Sequence, residues 1–172
     1  MPSKTISTEI VSNKIFFIRG QKVMLDRDLA KLYQVKTIAL RQQVMRNKER
    51  FPDDFCFQLN EGETNLLVSQ FVIPSKQSLG GHQPYVFTEQ GVAMLSSVLR
   101  SKQAVLVNVA IMRAFVKLRE TLSLHKELAV KLKELERKVA GHDVDIHNVF
   151  EAIRRLMKED EKPKRKIGFH ED

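Results

Sequence analysis

Near residue 120 the spacing of apolar residues changes to a heptad repeat. This repeat predicts a long helical structure for the last third of the chain. From Leu128 on, β-branched residues dominate the a positions and leucines the d positions, a pattern that favours a parallel two-stranded coil. Gly141 weakens the helix inside this run, so a break into two helices is an open alternative. The predicted dimerisation residues are Leu128, Leu132, Leu135, Val139, Ile146, Val149, Ile153 and Leu156.

The residues before the repeat mix short and helical periodicities, which predicts a small α+β domain over residues 1–120. Residues 121–158 form the predicted coiled coil, and residues 159–172 a disordered charged tail. Residues 104–116 are apolar almost all round, so we expect them at the buried centre of the domain. The predicted strands are 9–19 (one strand or a small hairpin), 22–25, 55–59 and 85–87.

The positive charge of the chain is concentrated in its first third. The whole chain carries a net charge of +8, and residues 1–52 hold 11 Lys and Arg against 4 Asp and Glu, a net +7. Residues 53–120 are neutral, and residues 121–172 add +1. An excess of this size indicates an anionic partner for the first third of the chain.

Two short predicted helices with a short turn between them form a helix-turn-helix-like unit inside this basic third. The first begins at Asp26, a capping residue type, and ends near Gln34, and the second follows Thr37 and ends before Pro52. The outward positions of this second helix carry Arg and Gln, which can form hydrogen bonds with guanine and adenine. They also carry Lys and Arg, which neutralise phosphates. The candidate DNA-binding residues are Lys36, Thr37, Arg41, Gln42, Arg46, Lys48 and Arg50.

The sequence contains five distinctive segments, which are Ile18–Tyr33 (IRGQKVMLDRDLAKLY), Arg50–Phe55 (RFPDDF), Phe57–Leu59 (FQL), Phe87–Ser97 (FTEQGVAMLSS) and Ile111–Val116 (IMRAFV). In this order and spacing they resemble the DNA-binding domain of the KilA-N superfamily. The most similar branch is the one named for the N-terminal domain of phage open-reading-frame-six proteins, and the likeness covers about residues 9–120. It implies a small α+β DNA-binding domain of phage, prophage and bacterial proteins, often regulators or antirepressors. One departure concerns the turn, where this chain has Gln34-Val-Lys36 and helix-turn-helix units prefer Gly.

The residue types needed for catalysis or metal binding are not grouped in this sequence. The five histidines are scattered, and the paired carboxylates stand where helices are predicted to begin. We therefore expect no catalytic residue, no metal and no cofactor, and an enzyme such as a nuclease is the least favoured class. The single cysteine, Cys56, lies in an apolar run and predicts a buried structural thiol. The polar N-terminus and the absence of a long apolar stretch predict a cytoplasmic protein without membrane contact.

Two functions fit this sequence. The first is sequence-selective binding of double-stranded DNA by a homodimeric transcriptional regulator, and the second is an antirepressor that binds a repressor protein. An antirepressor often carries a second globular domain, whereas here only the heptads and a short tail follow the first domain. The polar loop over residues 74–84 is either a plain connection or an arm toward DNA. The DNA sequence, the regulated genes and the sign of regulation stay open.

Overall fold

A computed structural model of the chain describes residues 6–140 and 144–160. These residues fall into two compact units, which divide within one long helix between Phe115 and Val116. The α+β class predicted from the sequence is confirmed for the first unit. The strands are β1 (Ile15–Ile18), β2 (Gln21–Leu25), β3 (Cys56–Gln58) and β4 (Tyr85–Thr88). The helices are α1 (Thr8–Ser12), α2 (Asp26–Tyr33), α3 (Thr37–Arg46), α4 (Glu61–Ser69), α5 (Glu89–Val98), α6 (Lys102–Val139) and α7 (Val144–Asp160).

A four-stranded antiparallel sheet in the order β1-β2-β4-β3 forms the middle layer of the first unit. Successive side chains of a strand point to opposite faces, and both faces here are apolar. Met24 and Phe87 belong to the larger core, which also holds buried side chains of α2, α3, α5 and α6. Leu25 and Val86 belong to a smaller core with Leu67 of α4. The sheet therefore separates a layer of several helices from a single helix.

The β1–β2 hairpin turns through Arg19 and Gly20, which both have positive φ, as a two-residue type I′ turn requires. Arg19 donates from Nε and Nη2 to the two carboxylate oxygens of Glu63 at 2.6 and 2.9 Å, and its guanidinium lies over the ring of Phe57. The hydrogen bond from Arg19 holds the pKa of the Glu63 carboxyl below its ordinary value. Since Glu63 also completes the capping box of α4 with Asn60, the turn is linked to the start of that helix.

The first predicted strand is partly wrong, because residues 8–12 form the short helix α1 and only Ile15–Ile18 is a strand. Ser7 caps α1 by accepting a hydrogen bond from the Glu9 N–H, and the single turn buries Val11 completely. One buried apolar residue per turn is too short a signal to separate a helix from a strand.

Helix α6 enters the larger core along one side only, which corrects the expectation that residues 104–116 are buried all round. Val107 and Ile111 are fully buried, whereas Val105, Leu106 and Val109 are exposed. Asn108, in the buried stripe, accepts a 2.6 Å hydrogen bond from the hydroxyl of Tyr33, and this bond connects α6 to α2. Helix α5 approaches the backbone so closely that a Cβ at Gly91 would lie 2.1 Å from the carbonyl oxygen of Phe55, so only glycine fits there.

The second unit contains the end of α6 and helix α7. The heptad segment is thus carried by two helices, since α6 ends at Val139 and α7 begins at Val144. Phe150 of α7 is 8% exposed, and Arg154 of α7 donates to the carboxylate of Glu136 in α6. The predicted tail lies outside the described residues, apart from the last two residues of α7. The division at 120 and 158 stays a prediction.

The turn between α2 and α3 uses a non-glycine residue in the left-handed conformation. Gln34 ends α2 with φ 59°, and its backbone N–H donates hydrogen bonds to the carbonyls of Ala30 and Lys31. The N–H of Val35 also bonds Ala30, so the turn closes as helix C-terminal caps normally do. Gln34 therefore stands where helix-turn-helix units prefer Gly, and it adopts the same left-handed turn conformation.

Replacing Gln34 with Gly should raise the free energy of unfolding by up to ~1 kcal/mol, because glycine adopts positive φ without a Cβ clash. Urea denaturation followed by circular dichroism measures this difference. The matched control is Gln42→Gly, which makes the same substitution in the interior of α3 and should lower stability by ~1 kcal/mol. Equal losses in both variants would mean that residue 34 does not hold the left-handed conformation.

Candidate nucleic-acid interface

Helix α3 has one buried side and one exposed side. Leu40 is fully buried and Val44 nearly so, and both belong to the larger core. On the opposite side the exposed residues cover an arc of about 120°, at 100° per residue. We call this arc the outer face of α3, and it consists of Ile38, Ala39, Gln42, Met45 and Arg46.

A buried carboxylate fixes the position of α3. Asp26, the first residue of α2, is 0% exposed, and its Oδ2 accepts from Arg41 Nε at 2.5 Å. The same oxygen accepts from the backbone N–H of Tyr85 in β4 at 3.2 Å, and Oδ1 accepts from the N–H of Arg27. The Arg41 side chain, 19% exposed, also lies 5.9 Å from the centre of the Tyr85 ring. One side chain thereby joins α2, α3 and the sheet.

This arrangement changes the interpretation of two residues. Asp26 is inside α2 and does not cap it, since Leu25 occupies the N-cap position without a side-chain hydrogen bond. Arg41 uses its Nε–H inside the domain, so its predicted contact with DNA stays a prediction for its Nη groups alone. Sequence reasoning missed the pairing because Asp26 and Arg41 lie 15 residues apart on different helices, beyond any helical spacing.

The other candidate residues lie on or beside the outer face of α3. Gln42 and Arg46 are exposed on it, and Lys36 is exposed at the N-cap, with no side-chain capping bond. Thr37 is therefore the first helical residue, which corrects its expected role as the cap. Helix α3 ends at Arg46, earlier than the predicted end before Pro52, and a short 3₁₀ turn, Lys48–Arg50, follows it.

The two cations of the 3₁₀ turn differ in their surroundings. Lys48 and Arg50 are both exposed, and Arg50 donates from Nη1 to the hydroxyl of Ser97 in α5 at 3.1 Å. Arg50 is thus held toward α5, while Arg46 continues the outer face. All seven candidate residues belong to α3 or to its two ends. No Asp or Glu occurs between Lys36 and Lys48, a range that contains the whole of α3.

The loop over residues 74–84 contains its own short structure. Ser75 accepts a hydrogen bond from the N–H of Ser78 and starts a 3₁₀ turn, Lys76–Leu79. Lys76 pairs with Glu61 of α4 at 3.1 Å, and both side chains are exposed. The predicted arm toward DNA stays a prediction.

The remaining candidates for a reactive or metal-binding group are Cys56 and the His, Asp and Glu side chains. Burial, together with the nearby carboxylates of Asp26 and Asp53, raises the pKa of the Cys56 thiol to about 12, so the reactive thiolate is not formed near neutral pH. Within residues 6–140 and 144–160, no three His, Cys, Asp or Glu side chains are grouped so that they could hold a metal ion. Among the described helices, none combines the length and apolar character needed to cross a lipid bilayer.

Comparison with known proteins gives one match. A family model described as the ORF6N domain matches residues 13–98, half of the chain. The matched range includes all four strands and helices α2 to α5, and hence both Asp26 and α3. Searches of the curated proteins and of the solved structures give no match.

Replacing Arg41 with Ala should lower the free energy of unfolding by about 3–5 kcal/mol, because it leaves the Asp26 carboxylate buried without its cation. Thermal and urea unfolding of the full chain measure the loss. The matched control is Arg46→Ala, five residues further along the same helix at an exposed position, which should change stability by at most ~0.5 kcal/mol. If the two variants are equally stable, the Asp26–Arg41 pair does not hold α3.

Proposed function

The chain belongs to the ORF6N domain family, and from this premise we propose that it binds double-stranded DNA through the outer face of α3 as a phage- or prophage-type transcriptional regulator. The KilA-N superfamily relationship inferred from the five sequence segments is part of the same proposal. The proposal assigns the protein to the DNA-binding proteins and gives it no enzymatic step.

The observation that carries the proposal is a rigidly held helix whose exposed side is free of negative charge. Its buried side is fixed by Leu40, Val44 and the Arg41–Asp26 pair. Ten residues of helix extend about 15 Å, and a helix of that size fits the major groove of B-DNA. Docking there would place the acid-free face of α3 against a polyanion, where charge complementarity favours association.

The candidate residues have different roles in this proposal. Gln42 and Arg46, on the outer face itself, are placed to bond base edges, for which Gln prefers adenine and Arg prefers guanine. Lys36, Lys48 and Arg50, at the two ends of the helix, contact phosphates and fix the register on the duplex. Arg41 positions the helix, and Thr37 is half-buried at its first turn.

The second candidate function is binding of a repressor protein by the same face. Ile38 and Met45 are exposed there, and large exposed apolar side chains also suit a protein partner. We favour DNA because Lys36, Arg46 and Lys48 border the apolar pair and no Asp or Glu lies between residues 36 and 48, so this surface complements a polyanion.

We also propose that the chain forms a homodimer through its second unit. Six of the eight predicted dimerisation residues are exposed in the single chain, although they are large and apolar. A surface of this kind is typical of an interface. Two copies would bring two DNA-binding domains to one duplex, so the dimer binds two half-sites. The six are Leu128, Leu135, Ile146, Val149, Ile153 and Leu156.

For the DNA interface, Lys48→Ala should weaken binding about equally on all duplexes and lower the slope of log Kd against log salt by ~1, because one phosphate contact is lost. Arg46→Ala should cost ~1–3 kcal/mol on the preferred duplex and reduce the discrimination against scrambled duplexes. Fluorescence anisotropy across a salt series measures both effects.

The matched control is Lys131→Ala, which removes the same charge from an exposed position of the second unit and should leave the affinity and the slope unchanged. Parent-like binding by both the Lys48 and the Arg46 variants would remove α3 from the interface. If the parent chain retains no duplex at low salt, the DNA-binding function itself is wrong.

For the dimer, the double variant Leu128→Asp with Leu135→Asp should be a monomer, because each change would bury an unpaired charge at a cost of several kcal/mol. Light scattering coupled to size-exclusion chromatography gives the mass directly. Both positions are exposed in the single chain, so the change leaves the fold of α6 in place. Ala129→Asp, exposed and outside the predicted seam, serves as the control and should remain a dimer. A dimeric double variant would place the interface elsewhere.

A further inference from the structure

Two large apolar side chains lie on the outer face of α3. A helix face in contact only with solvent or phosphates would carry polar residues at these positions. Ile38 is 64% exposed and Met45 is 49% exposed. With Gln42 they have the spacing i, i+4 and i+7, so the three side chains form one stripe along the helix. The core below is already filled by Leu40 and Val44 on the opposite side.

The surroundings of this stripe restrict what covers it. Cations border it, with Lys36 before Ile38 and with Arg46 and Lys48 after Met45. A partner must therefore be negatively charged along its edges and offer apolar groups between them. The major groove of DNA has this combination, because phosphates line both edges and the C5-methyl of thymine projects between them.

We propose that Ile38 and Met45 contact thymine methyl groups in the major groove and that Gln42, between them, bonds adenine, so that the protein selects A·T pairs at these positions. This inference rests on the proposed DNA-binding function and adds the chemical class of the preferred sequence. Seven residues of helix rise about 10 Å, and base pairs are 3.4 Å apart, so the two methyl contacts lie about three base steps apart.

The test starts with duplexes selected by the full chain from a pool with a randomised central region. The selected duplex is then synthesised with deoxyuridine in place of individual thymidines, which removes only the C5-methyl group. Affinity should fall about three- to fivefold for each contacted thymine, the equivalent of one buried methyl group. Deoxyuridine outside the selected site should leave the affinity unchanged.

Two variants assign the contacts to residues. Ile38→Ala and Met45→Ala should each become insensitive to one of the two deoxyuridine substitutions, and alanine at these exposed positions preserves the helix. The matched control is Leu66→Ala, since Leu66 is equally exposed but lies on α4, and it should keep the sensitivity of the parent.

The outcomes separate the two proposals. If the parent selects duplexes but tolerates deoxyuridine everywhere, the methyl contacts are refuted and the DNA-binding function stands. If the alanine variants keep the full sensitivity, other residues make those contacts and the inference is equally refuted. Failure to retain any duplex overturns the proposed function, and the inference with it.

Discussion

The buried carboxylate of Asp26 is the interaction on which the arrangement of the first unit depends. A fully buried carboxylate is costly unless a cation and hydrogen-bond donors satisfy it, and Asp26 meets Arg41 Nε, the Tyr85 N–H and the Arg27 N–H. Those donors come from α3, β4 and α2, so the carboxylate is satisfied only when the two helices and the sheet are in place together. The outer face of α3 is a consequence of this, since fixing Arg41 inward fixes which residues of the helix face outward.

The strands of this fold could be predicted from the sequence, apart from residues 9–12, which form part of α1, whereas the long-range pairings could not. The strands predicted at 22–25, 55–59 and 85–87 depend on neighbouring residues, and β2, β3 and β4 lie at these positions. The ion pair of Asp26 with Arg41 joins residues on different helices, so no local spacing indicates it. The charged positions along α3 could be predicted in outline, because they follow from the sequence of that helix alone. The hydrogen bond of Arg41 with Asp26 could not, because it joins two helices.

In the second unit, the heptad periodicity predicts helices but not the contacts between their residues. The heptads correctly predict helix from residue 121 to 139 and again over α7. They do not indicate that Phe150 would be buried or that Arg154 would pair with Glu136, since the paired residues lie 18 apart on two helices. Six of the apolar residues that the heptads place in the seam are exposed in the single chain, which connects the proposed dimer to an observed surface. Leu124 and Val130 are exposed as well but lie outside the predicted seam.

The central claim is that the outer face of α3, held by Asp26 and Arg41, is the surface in contact with DNA. Methyl NMR of the full chain, titrated with a selected duplex, tests it without any substitution. The account predicts that the methyl resonances of Ile38 and Met45 shift and give intermolecular nuclear Overhauser effects to the duplex, while those of the exposed Val105 and Leu66 stay unchanged. Binding of the duplex with unmoved Ile38 and Met45 methyl resonances would contradict it.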